Sequence, residues 1–164
     1  CAMGTVIMSA CFDEFLKMDL SKIDVDACVA AWPTLEQEQQ RALEIFKDFP
    51  VPQLGYTEIT KKYNDAETVR QQLTKVKENW PELKERIQNQ VYTYDKMVAL
   101  MKSVGAPVGP ESIGLTRAQV RRMVDFVQLM RWRINLFDLC KRAQIYDALL
   151  DRVFGKGGVL EISE

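Results

Sequence analysis

SVGAPVGPESIGLTRAQVRRMVDFVQLMRWRINLFDLCKRAQIYDALLDRVF, residues 103–154, reads as a glycine- and proline-rich loop followed by two long helices with apolar stripes. In the first helix Val120, Met123, Val124, Val127 and Met130 recur at steps of three and four, one face of a 3.6-residue period. In the second, Leu136, Leu139, Cys140, Ala143, Tyr146, Leu150 and Val153 do the same. The turn between them, Arg131 to Ile134, is short, which predicts neighbouring, roughly antiparallel helices. Two such stripes need a third apolar surface to bury against, and the rest of the chain supplies it.

Upstream, Ala2 to Met18 is apolar nearly all round, as expected of a helix in the middle of a bundle, and Gly4 within it suggests close backbone packing. Ser21 or Asp24 caps a short helix that ends before Trp32-Pro33. Thr34 to Gln37 forms a capping box opening a helix to about Lys47, and Phe49-Pro50-Val51-Pro52 breaks it. Tyr56 to Gln90 is more polar and predicts an exposed helical outrigger. Asp65 caps its first helix, with Val69, Leu73 and Val76 as a thin stripe, and Pro81 starts its second. Thr93 opens the next helix, and Thr116 to Gln119 is a second capping box. Val159 to Ile162 reads as a strand stub or a loose tail.

The composition excludes several classes. Hydrophobic residues make up 47% and charged residues 27%, ordinary for a globular protein of 164 residues, which reads as one helical domain over 1–164. The net charge is −1, spread as −5 over residues 1–50, +1 over 51–100 and +3 over 101–164. That is too little to predict a nucleic-acid or anionic-membrane binder. No apolar run reaches the length of a membrane span, and the apolar start has no basic flank and soon acquires Asp13 and Glu14, so no signal peptide is expected. Cys1, Cys11, Cys28 and Cys140 are scattered and read as small buried hydrophobes of a cytoplasmic, reducing compartment.

The chain has no histidine, which removes the commonest general base and the commonest zinc ligand together. The four cysteines do not cluster, no GxGxxG is present, and the glycine run at 155–158 lacks P-loop spacing. No catalytic residue and no metal ligand is assigned.

Two stretches carry a resemblance. Residues 105–139, with Gly105, Ala106, Pro107, Glu111, Gly114, Arg131, Arg133, Asp138 and Leu139, are similar to the closing segment of the sn-glycerol-1-phosphate dehydrogenases. These belong to the iron-containing alcohol dehydrogenase and dehydroquinate synthase-like superfamily. Ile134-Asn135 stands where the family usually has Tyr-Thr. The start, CAMGTVIMSAC, resembles the family's helix after its metal-binding His-Gly-Glu, with Cys1, Gly4 and Thr5 in register. The resemblance covers nearly the whole chain and is strongest at 1–16 and 97–140.

It implies a dehydroquinate synthase-like C-terminal domain: an all-α bundle of seven to nine helices, preceded in the full enzyme by an α/β nucleotide-binding domain. In the family NAD(P)(H) lies in the cleft between the two, and zinc polarises the ketone of dihydroxyacetone phosphate, an oxidoreductase step of phospholipid metabolism. This chain would form one wall of that cleft, inactive alone, binding neither NAD(P) nor zinc by itself. Arg133, Gly4 and Thr5 would be near substrate, since a guanidinium suits a phosphate ester. Cofactor-binding residues remain unassigned. The partner implied is the missing nucleotide-binding domain, with a homo-oligomer as another way to cover the first helix. The alternative is a stand-alone helical interaction or scaffold module, with neither nucleic acid nor membrane as partner.

Overall fold

The computed structural model describes residues 2–162, and among them the chain is entirely helical, with no strand. There are ten α-helices: α1 (Ala2–Leu16), α2 (Val25–Ala30), α3 (Leu35–Phe46), α4 (Leu54–Lys62), α5 (Ala66–Glu78), α6 (Trp80–Gln88), α7 (Tyr94–Ser103), α8 (Arg117–Leu129), α9 (Leu136–Arg142) and α10 (Tyr146–Phe154). Short 3₁₀ turns occupy Leu20–Lys22 and Pro110–Ile113. The all-α expectation holds, but ten helices replace the expected seven to nine. Two local events account for the excess.

The first is α4, hidden in sequence behind the breakers at 49–55. It packs on α3 because Gly55 lets the Phe46 ring come close: a Cβ at Gly55 would stand 2.7 Å from a ring carbon. The second is the division of the last stripe into α9 and α10. The amide of Gln144 donates to Lys141 O (3.2 Å) and that of Ile145 to Cys140 O (2.9 Å), with Gln144 at φ 57°. This pair of bonds is the Schellman termination, and the apolar periodicity runs straight through it.

Most helix starts follow the expected chemistry. Ala27 N donates to Asp24 Oδ1 (3.0 Å), and Thr68 N to Asp65 Oδ1 (2.8 Å). The capping boxes Thr34/Gln37 and Thr116/Gln119 are both reciprocal. The glycines of the 105–114 motif have structural roles. Gly105, at φ 68°, ends α7 with the same two-bond termination, through Lys102 O (3.0 Å) and, from Ala106 N, Met101 O (2.9 Å). Gly114, at φ 75°, closes the Pro110–Ile113 turn.

The chain forms two compact units, neither contiguous in sequence. The first comprises Cys1–Lys22, Glu78–Arg121 and Asp147–Glu164. Here α1 buries Val6, Cys11 and Phe15 completely, and Phe15 meets Trp80 edge-on at 5.4 Å. α1 lies against α7, whose first amide, Tyr94 N, donates to Asp13 Oδ2 (2.7 Å). Burial pushes the Cys11 thiol up to about 12, with Arg121 pulling the other way, so this cysteine is inert packing. Gly4 corrects the packing expectation: it is exposed, and a Cβ there would meet nothing within 4 Å. The tail is neither strand nor loose. Leu160 is buried and its amide donates to Val153 O (3.0 Å), while Ile162 N donates to Phe154 O (2.9 Å).

The second unit comprises Ile23–Lys77 and Arg122–Tyr146. One core cluster joins Cys28, Val69, Leu73 and Ala143; another joins Ala42, Phe46, Ile59 and Leu129, with Phe49 and Phe126 meeting the Phe46 ring edge-on. Val69 and Leu73 are fully buried, so α5 is a core helix and not an exposed outrigger. The three cysteines among the described residues, Cys11, Cys28 and Cys140, are buried, as expected of small hydrophobes; Cys1 lies outside them.

Candidate functional site

Gln128 falls on the buried side of α8, in step with Val120 and Val124. A polar side chain on a buried stripe needs partners, and Gln128 has them on every side. Its Nε2 donates to Asp138 Oδ1 (2.7 Å), its Oε1 accepts from Arg41 Nη2 (2.7 Å), and its backbone carbonyl accepts from Lys62 Nζ. Lys62 in turn pairs with Asp138 at 2.8 Å, with side chains 2% and 5% exposed. Arg41 makes a two-point contact with Glu38 at 2.9 and 2.8 Å. Five charged or amide side chains from α3, α4, α8 and α9 thus form one buried network.

The network fixes the link between α8 and α9. Asn135 caps α9: its side chain accepts from Phe137 N (2.9 Å) and Asp138 N (3.3 Å), and Asp138 Oδ2 accepts from Asn135 N (2.8 Å). At mid-link Glu58 Oε2 accepts from Trp132 N (2.7 Å). The Lys61 ammonium, and secondarily that amide, hold the Glu58 carboxyl below its usual range, so the clasp stays ionised at neutral pH. The link is pinned at both ends and in the middle.

What it presents is apolar. Trp132 and Ile134 are 55% and 56% exposed; Met123 and Val127 on the outer face of α8 are 44% and 45% exposed, and Met130 just past its end is 39% exposed. The apolar period of α8 is therefore two stripes, with Val120 and Val124 inward and Met123 and Val127 in water, continued past its end by exposed Met130. Val127, Met130 and Ile134, with Arg131, Arg133 and Asn135, line a cleft of about 210 Å³. Arg133 leans over the Trp132 ring at 5.7 Å. Arg122, Arg131 and Arg133 are all exposed and make no ion pair among the described residues.

Of the residues expected near substrate, Arg133 belongs to this surface, in the second unit. Gly4 and Thr5 are neighbours on exposed turns of α1, in the first unit. Nothing in the local sequence marked Lys62, Glu58 or Arg41, and Asn135 stood out only as a departure from the family's Tyr-Thr, not as a cap. Lys62 and Glu58 sit on the unread α4; Gln128 left a trace, as the one polar residue in register with Val120 and Val124.

The chain matches no protein-family profile, no curated relative and no solved structure. No helix among the described residues is long and apolar enough to cross a membrane. Among those residues no three histidine, cysteine, aspartate or glutamate side chains stand together as metal ligands.

Proposed function

We propose that this chain is a docking domain whose working surface is the outer face of α8 together with Met130–Ile134. The observation that carries the reading is five large apolar side chains held in water by a backbone pinned to a buried polar network. Exposed contiguous apolar surface marks a contact site, and tryptophan, methionine and arginine are the residues enriched at interface centres. Pre-arrangement lowers the ordering cost of binding.

The test is a photo-reactive side chain placed at Trp132 in the source cell, with the same group at exposed Val104 of the other unit as control. Discrete adducts from position 132, lost on adding Val127→Asp, support the reading. No adduct, or the same adducts from both positions, overturns it.

The resemblance suggests one body for this surface: the nucleotide-binding half of an NAD(P)-dependent glycerol-1-phosphate dehydrogenase, with this chain as one wall of the cleft. The specific observation in its favour is that Arg131 and Arg133 border a cleft and make no ion pair among the described residues, as suits an anionic ester. It predicts that the adduct from position 132 is intramolecular within a longer chain encoding His-Gly-Glu just before Cys1. Adducts only to separate proteins favour the stand-alone interaction module.

A further inference from the structure

We infer that the α8 outer face takes an acidic amphipathic helix, which seats one large apolar side chain in the cleft between Met130 and Ile134. This rests on the docking reading above and adds the chemistry of the occupant.

Three observations select it. Met123 and Val127 stand at i and i+4 on one face of α8, a spacing with which one helix reads another, and exposed Met130 follows just past the helix end. The surface is concave where the cleft opens, with room for a single anchor side chain, whereas a loop built to enter a bilayer presents a convex apolar tip. Among the exposed side chains of residues 122–134 the charge is all basic: Arg122, Arg131 and Arg133 stand at or beside the stripe and make no ion pair among the described residues, while the nearby Glu58 carboxylate is largely covered. Their field favours carboxylates and rejects a basic helix. Methionine at two of the three stripe positions adapts its shape to the incoming side chain.

The probe is a stapled helical peptide of about 15 residues, glutamate and alanine with leucines at i, i+4 and i+7. It is titrated into the intact chain while the indole N–H signal of Trp132 is followed by NMR. The controls are the same peptide with lysine for glutamate, glycerol phosphate, vesicles containing phosphatidylserine, and the protein alone at rising concentration.

The expected result is saturable movement of the Trp132 signal with the glutamate peptide and none with the lysine peptide. Affinity should fall about tenfold or more in the Arg131→Glu/Arg133→Glu double variant. Val127→Asp, at a half-exposed position that leaves the core intact, should abolish the shift. Equal binding of both peptides overturns the inference, because charge is then not read. Self-association, glycerol phosphate or vesicles moving Trp132 while the glutamate peptide does not also overturns it, yet leaves the docking surface standing. If no probe moves Trp132, the occupant and the docking reading fall together.

Discussion

Asp138 is the residue on which the second unit turns. Its two oxygens take Lys62, the Gln128 amide and the Asn135 backbone, so one carboxylate closes an ion pair, joins two helices and caps a third. An ion pair this deeply buried adds little net stability over an apolar pair, but removing one partner leaves the other charged without compensation. Asp138→Ala should therefore lose about 3–5 kcal/mol in urea unfolding. Adding Lys62→Met should recover part of that loss, because it removes the stranded charge. If the double variant loses the sum of both single effects, the two groups are not coupled. Arg142 shows the same economy: it is buried, burial lowers its pKa against the pull of Asp138, and Asn64 Oδ1 accepts from it at 2.9 Å.

At the scale of elements, helix ends decide what periodicity cannot. Gln144 ends α9 in a left-handed conformation that glycine adopts without strain. Gln144→Gly should raise stability by about 0.5–1 kcal/mol, measured by thermal or urea unfolding. A loss would mean that the Gln144 side-chain bond to Lys141 O outweighs the backbone strain.

The same element shows where sequence reading stopped. Caps at Asp24, Thr34, Asp65, Thr93 and Thr116 were legible because a short polar side chain sits three residues before the amide it accepts from. The break at Gln144 was not, because nothing in a glutamine announces positive φ. α4 was not, because prolines and Gly55 around its start read as loop. The site was half legible: Arg131 and Arg133 stood out in the sequence, but the side chains that pin the backbone around them come from α3 and α4, far away in the chain. The exposure of Met123, Val127 and Met130 was the reverse of what their spacing suggested.

For the molecule as a whole, each unit is assembled from separated segments, so neither can be cut out as a single piece. Leu129 completes one core cluster of the second unit and Ala143 the other, and both come from the 122–146 segment. A fragment of residues 23–77 should therefore show no cooperative urea transition by circular dichroism. A sharp transition would mean that the segment carries its own core.

The account holds that this protein keeps an apolar surface still in water, ready for a partner, by anchoring its backbone to buried charge. The most direct measurement is the ¹⁵N relaxation order parameter of the Trp132 amide in the free protein, with and without Asp138→Asn. The account predicts a value near that of rigid backbone, about 0.85, in the native chain and a clear drop in the variant. A native value below about 0.6 would mean that Met130–Ile134 is a flexible loop and that nothing holds the surface ready.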